Sequence, residues 1–565
     1  MPSEITSSNH SRYARRDRNI SLWKDVKPEW PRRLLHIPSM SSVERQDGDK
    51  YGPDNIIQPE YSILTYTWGR WESPGGPHIP VSGTTWAIPA VDEAKFTVKN
   101  FEDVINRMGL DYDFAWIDVV CIDQENYDVK MNEIGRQIGI FANASQVYVW
   151  LWSLSYARLQ DIYDDVTRYG ASLDDPEGPF LLKPRMASSS ALYDDIAPRQ
   201  ESSQIPQAML SSLEASIKVL LGDPWFSSLW TLQEGVLRQD AIFLSQDAKP
   251  IQHRVDTLNP EADMAQLAMA LSAIRSALES YDSGSMEPSY SNLVDSVVKS
   301  IKRGGYPANA LVNNPNLQWA AAQNREATNA EDRVYGIMAL YNIRVGDAVP
   351  NNTTPKKPSL SELETEFAIA LNTVSPLLGQ MFVHAGPRHP YGKTWEISRN
   401  IVVPFDFGYW NNQQYSDYCS IKGSTTGPAK IEGLAYRLKD LKHFWVACST
   451  AIGGHPCYFD VALDEYIVKE HPAIIPAPAD LKRRRAECFK ALFTLIDTTL
   501  KEFGEDSISV FKLGGWKWSV FGLILLHLPG NRNEVKRIGI CEWQQEGVTT
   551  TPDRLEAVQY TGILN

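Results

Sequence analysis

The sequence predicts an α/β fold, a mainly parallel sheet with flanking helices, followed by a C-terminal α+β region. Three observations carry this. Apolar strand-like runs alternate with helically spaced ones: YSILTYTW at 61–68, FEDVINRMGL at 101–110, FAWIDVVCID at 114–123, VKMNEIGRQIGIFANA from Val129 to Ala144, and QVYVWL at 146–151. That alternation is the pattern of strands joined by helical crossovers. The strand runs are apolar on both faces, as strands covered by helices on each side are. The chain has 565 residues, more than one core organises, so further domains are expected beyond the α/β layer.

Residues 1–31 are polar and basic and read as a flexible segment. The first domain is placed at 32–345, with RRLLHIPSM at 32–40 as its entering strand. Met131, Ile134, Ile138 and Phe141 recur at three- and four-residue intervals, which puts one apolar stripe along a helix. Residues 155–208 turn acidic, with serines at 188–190 and several prolines, and are read as a loop-like insertion. A helix, a Gly-Asp-Pro break, a second helix over Trp225–Leu237 and a strand at 241–245 follow. The region 346–565 is the C-terminal α+β domain. There Ser359 or Ser361 caps a helix, strand-like runs stand at 400–404, 443–448 and 536–541, and the prolines at 472, 476 and 478 mark a hinge or surface turn.

The composition narrows the function classes. A formal charge of −14 repels phosphate backbones and anionic headgroups, which argues against nucleic-acid binding. The basic run Lys482–Arg485 leads into a helical pattern and reads as a solvated helix face, with a targeting or lipid-binding role as the alternative. Six cysteines at 121, 419, 448, 457, 488 and 541 form no CxxC pair, so reduced thiols and no metal site are expected. The first twenty residues lack an apolar core of the secretory type, which points to the cytoplasm. The apolar stretch Val520–Leu526 is well short of the ~20 residues that span a bilayer. It is read as a buried strand or helix segment, with no stable membrane insertion.

Three blocks in order, YSILTYTWG at 61–69, FAWIDVVCIDQEN at 114–126 and DPWFSSLWTLQE at 223–234, resemble those of fungal heterokaryon-incompatibility (HET) domains. The spacer NEIGRQIGIFANASQVYVWL and the later NREATNAEDRVYGIMALY are also similar to that family, so the likeness runs over about 32–342. Where the family often has a basic residue before the tryptophan of the third block, this chain has Ser228-Leu229-Trp230. The resemblance implies a cytoplasmic effector that triggers programmed cell death on non-self recognition, working with protein partners and as a possible homo-oligomer. A strand followed by a Trp-x-x-x-Glu helix is also distantly similar to TIR domains, which implies a TIR-like layered core and a possible NAD glycohydrolase. NAD would then be a substrate, with no cofactor required.

By that likeness Glu234 is the candidate catalytic carboxylate, meeting the nicotinamide ribose and the oxocarbenium-like state, and Trp230, one turn earlier, stacks on nicotinamide. The pocket expected around them is formed by Trp68, Gly69, Asp118, Asp123, Gln124 and Gln233. Structural readings stand beside each. Glu234 reads equally as a helix carboxylate bonded to a loop amide, and Asp118 and Asp123 as caps of the next helix or of loop amides. Gly69 reads as a turn residue, Trp116 and Cys121 as core, Glu133 as a first-turn acid favoured by the helix dipole, and His36 as a satisfied core or edge histidine. No GxSxG elbow, HExxH or kinase signature is present. The alternatives to an enzyme are a non-enzymatic signalling scaffold, or a HET fold recruited to regulation or specialised metabolism.

Overall fold

The computed structural model describes residues 26–52, 54–67, 75–174, 205–253, 260–279, 287–305, 314–350, 357–404, 416–451, 459–476, 485–516, 519–544 and 556–565. The chain forms two compact units with a boundary between Pro358 and Ser359, residues 314–323 going with the second.

In the first unit, β1 (Arg33–His36) and β2 (Ser41–Glu44) form a hairpin, and β3 (Lys50–Tyr51) and β4 (Ile56–Ile57) a separate short ribbon. Then come β5 (Tyr61–Thr65), α1 (Val98–Gly109), β6 (Phe114–Trp116), α2 (Asp118–Cys121), α3 (Tyr127–Asn143) and β7 (Gln146–Leu151). After α4 (Tyr156–Asp174), α5 (Gln207–Leu220) and α6 (Leu229–Leu237) the chain returns as β8 (Ile242–Ser245). The helices α7 (Met264–Glu279), α8 (Pro288–Gly304) and α9 (Asp332–Tyr335) follow.

The six-stranded sheet has the order β2-β1-β6-β5-β7-β8. β6, β5, β7 and β8 are parallel, with Ser62 opposite both Ala115 and Gln146, and β1 runs antiparallel to β6. Every residue of β5, β6, β7 and β8 is buried, which is why these segments carry no polar alternation. Thr97 caps α1 in a reciprocal box with Asn100, and Asn126 caps α3 by accepting from Val129 N.

The architecture is therefore mixed α/β with a mainly parallel first sheet, and several elements differ from the sequence expectation. The run 114–123 is a strand only to Trp116. Asp118 then accepts from Val119 N at 2.7 Å and opens a short helix, so the apolar run continues as α2. The insertion at 155–208 begins with the 19-residue α4, because Leu159, Ile162, Val166 and Tyr169 place a buried stripe at helical spacing; residues 175–204 lie outside the described residues. Glu133 falls in the second turn of α3, where it is 1% exposed and accepts from Arg32 N and Arg136 Nη1. Trp116 and Cys121 are buried, and burial pushes the Cys121 thiol up to about 12.

In the second unit Ser359, boxed with Glu362, caps the helix Leu360–Val374. The strands Ala429–Arg437, Ile508–Trp516, Ser519–Leu528, Asn531–Gln544 and Val558–Leu564 pair in a ring in which the first bonds both the second and the last. Such closure removes the open edges of a sheet. Val520–Leu526 is a strand of this ring. Ile401–Val402 and the run 536–541 are strands, whereas 443–448 lies in the helix Leu438–Ala451, where Leu438, Leu441 and Trp445 form the buried stripe. Short apolar runs of this kind do not separate strand from helix by periodicity. Lys482–Arg484 lie outside the described residues.

The C-terminal end of α6 is fixed by Arg238, whose N–H donates to Glu234 O. Its buried guanidinium binds both oxygens of Asp240 at 2.8 Å and the carbonyls of Phe141 and Ala144. Arg238→Met strands a buried carboxylate and two carbonyls, and should cost about 3 kcal/mol. A fall in the urea midpoint of the first unit, partly restored by adding Asp240→Leu, is the expected result.

Candidate active site

β5 has β6 on one side and β7 on the other, so the chain crosses over at β5. In parallel sheets a crevice opens at the carboxyl ends of such strands. Thr65, the last residue of β5, stands there. Its Oγ1 accepts from Trp225 Nε1 at 2.8 Å and donates to Glu234 Oε2 of α6. The next residue, Tyr66, donates from its phenol to Asp118 Oδ1 at 3.0 Å, at the start of α2 just beyond β6. Trp152, just beyond β7, donates to Thr67 Oγ1 at 3.3 Å.

The electrostatics follow from this crowding. Burial raises the Glu234 carboxyl to about 8; the Thr65 bond opposes the rise and the nearby Asp118 carboxylate adds to it. Burial also raises Asp118, against the Val119 amide, the Tyr66 hydroxyl and the Lys130 ammonium. The Tyr66 phenol is raised by burial and by Asp118 and Glu234. Two carboxyls and a phenol thus act on one another at the strand ends, with Glu234 the group that holds a proton near neutrality.

The predicted residues are distributed unevenly about this point. Glu234 and Asp118 are at the centre, and both remain partly exposed. Trp230 is half-buried on α6. Asp123 Oδ1 instead accepts from Glu125 N and Asn126 N, and Gln124 Nε2 donates to Asp118 O and Ile122 O, so this pair stitches the turn between α2 and α3. Gln233 is 1% exposed, bonded to Gln137 Oε1 and Ala339 N. Trp68 and Gly69 lie outside the described residues. Among the described residues no group of three or more His, Cys, Asp or Glu side chains is placed to hold a metal ion, and no helix is long and apolar enough to cross a membrane.

Thr65, Tyr66 and Trp225 are the partners that the sequence reading passed over. All three stand inside the first and third blocks, as ordinary members of a β-rich run and of a helix break. Asp223 completes the arrangement: it accepts from Ser153 N, Ser153 Oγ and Trp225 N, and burial raises it to about 6.

The three blocks therefore meet at one point, through Thr65 and Tyr66, Asp118, and Trp225 and Glu234. The family model for the heterokaryon incompatibility protein (HET) matches residues 61–234, from the first residue of β5 to Glu234. The chain carries a heterokaryon-incompatibility domain. Heterokaryon incompatibility protein 6, OR allele, of Neurospora crassa is 24% identical over 367 residues, 60% of this chain and 48% of that protein. The chain thus spans about half the length of this curated relative. No solved structure matches the chain significantly.

Within the HET domain, the raised Glu234 gives a signed prediction. A carboxyl at about 8 when folded and near 4.5 when unfolded contributes stability that is fully present below pH 4.5 and is lost as pH rises through 8. Glu234→Gln has no such dependence. Thermal unfolding should show equal Tm for the two proteins at pH 4, and at pH 9 a variant more stable by several degrees.

Proposed function

We propose that this protein is an incompatibility-type effector that acts in the cytoplasm, with protein partners, to trigger programmed cell death on non-self recognition. We further propose that its HET domain does so by hydrolysing the nicotinamide–ribose bond of NAD. The observation that carries this reading is the Glu234 carboxyl held by Thr65 at the carboxyl ends of β5 and β6, beside Asp118. The strand order β6-β5-β7-β8 and the spacing of Trp230 and Glu234 on α6 support a TIR-like reading of the core.

As the C1′–N bond breaks, its electron pair passes to the pyridinium nitrogen and nicotinamide leaves neutral. Positive charge develops on C1′ and the ring oxygen. A carboxylate fixed beneath them stabilises that charge more than it stabilises the substrate. The cationic nicotinamide ring also favours the ionised form of Glu234, offsetting its burial. Water then adds to C1′, and its proton passes to a carboxylate and on to solvent, giving ADP-ribose.

A second reading, a signalling scaffold, is favoured by Asp123, Gln124 and Gln233, each of which holds an internal hydrogen bond through its side chain. The enzyme reading predicts NAD loss with equimolar nicotinamide release by the concentrated full chain. It also predicts kcat/KM rising with pH to a plateau above about 8 as Glu234 loses its proton. Glu234→Ala should lower turnover by about 10²–10³-fold with an unchanged circular dichroism spectrum. If neither protein turns over NAD, yet overexpression of both is equally toxic, the scaffold reading holds instead.

A further inference from the structure

One end of the strand ring in the second unit holds polar side chains where their neighbours on the same face are apolar. Ser509 is the second residue of the strand Ile508–Trp516, and His527 the last but one of Ser519–Leu528. Ser509 stands opposite Leu525, and the next residue on its face is Phe511, both of them buried. Ser509 Oγ lies 3.0 Å from His527 Nε2, and His527 Nδ1 lies 2.9 Å from the carbonyl oxygen of Arg532. A carbonyl only accepts, so Nδ1 holds the proton of the neutral ring. Nε2 is left as a lone pair, and the Ser509 hydroxyl donates to it. The carbonyl is fixed in turn. In the hairpin that joins Ser519–Leu528 to Asn531–Gln544, His527 pairs with Val535 and Leu528 with Asn531, so residues 532–534 bulge out beside the imidazole. Tyr560 donates from its phenol to the same Arg532 oxygen at 3.2 Å, and its ring meets that of His527 edge-on with centroids 6.0 Å apart.

We propose that Ser509 and His527 are the nucleophile and general base of a second active site, one that hydrolyses small carboxylic esters. A hydroxyl bonded to Nε2 alone would latch two strands together. The ordered Nδ1 contact adds what a latch does not use, a fixed tautomer and a place for the charge of an imidazolium. On the other neighbouring strand, Arg437 is the residue directly opposite Ser509 and points to the same face. Its exposed guanidinium bonds Asp440 through Nε at 2.6 Å, which engages one of its five N–H donors. Ser509 is 7% exposed, so an acyl group must be small to reach it. Ser509 Oγ attacks the ester carbonyl carbon, its proton passes to His527 Nε2, and the carbonyl electron pair moves to an oxyanion that Arg437 faces. As the oxyanion collapses the bond to the alcohol oxygen breaks, and that oxygen takes the proton from Nε2. Water then repeats the path on the acyl-serine, releasing the acid and restoring the hydroxyl. The site lies in the second unit and stands or falls independently of the NAD reading.

The test treats the full chain with an alkyl fluorophosphonate, whose phosphorus takes the Ser509 oxygen and releases fluoride, and maps the modified peptide by mass spectrometry. An adduct on Ser509 is expected. His527→Gln can still bond the hydroxyl but takes no proton from it, so the labelling rate should fall about 10²-fold with an unchanged thermal midpoint. A bond that only holds two strands together would leave that rate as it was. Hydrolysis of p-nitrophenyl acetate gives the second readout: Ser509→Ala, which removes one oxygen, should lower the protein-dependent rate at least roughly tenfold. No adduct on Ser509, or one that forms equally fast in H527Q, overturns the proposal, as does hydrolysis that survives in S509A. Should H527Q unfold, the parent adduct and S509A decide: an adduct on Ser509 with hydrolysis lost in S509A upholds the site, and the failure of either overturns it.

Discussion

A threonine hydroxyl at the end of β5 accepts from one tryptophan and donates to one glutamate, and these two bonds set how the first and third sequence blocks meet. The directions follow from the groups themselves. Trp225 Nε1 is a donor only, so it takes a lone pair of Thr65 Oγ1, and the one hydroxyl proton is left to point at Glu234. Placing Thr65 therefore places both the break before α6 and the carboxylate within α6. The adjacent Tyr66 does the same for Asp118 on the other side of the strand. A strand end two residues long thus reaches both flanking segments.

Holding a carboxyl in such surroundings needs a stiff frame, and buried polar groups supply it around α6. Asp223 ties the segment before the helix to Ser153 beyond β7, Arg325 grips the carbonyls of Trp225 and Ser228, and Arg238 closes the far end against Asp240. Each is buried and makes several hydrogen bonds, which tie α6 and the segment before it to the surrounding elements. The cost appears at Glu234, whose ionisation is opposed by the same burial that fixes its position. A group poised near neutrality at a strand end suits chemistry in which charge appears only as a bond breaks.

Much of the first unit was legible because its strands are apolar on both faces and its helices carry apolar residues at regular spacing. Tyr61–Thr65, Gln146–Leu151 and Ile242–Ser245 are strands at or within a few residues of where the pattern places them. The errors came where periodicity is silent. FAWIDVVCID stays apolar while the backbone turns from strand to helix at Asp118, and HFWVAC is helical because Trp445 continues a stripe begun by Leu438 and Leu441. At the site, Glu234 was named from the resemblance to TIR domains and Asp118 as a polar residue at the end of a buried strand. Thr65 and Tyr66 were not, because nothing local marks which hydroxyl of a strand will face a carboxylate 169 residues away. Asp123, Gln124 and Gln233 show the converse: polar residues in a telling block whose atoms serve the turn and the packing around it.

The claim on which the rest depends is that Glu234 holds its proton near neutrality while bonded to Thr65, and a carboxyl titration tests it most directly. In full-length protein with carbon-13 at the glutamate carboxyls, the Glu234 signal is identified by its loss in Glu234→Gln and followed with pH. A midpoint about 8 is predicted, moving higher in Thr65→Val because the hydroxyl that favours the ionised form is gone. A midpoint at the ordinary value near 4.5, unmoved by Thr65→Val, would contradict the account.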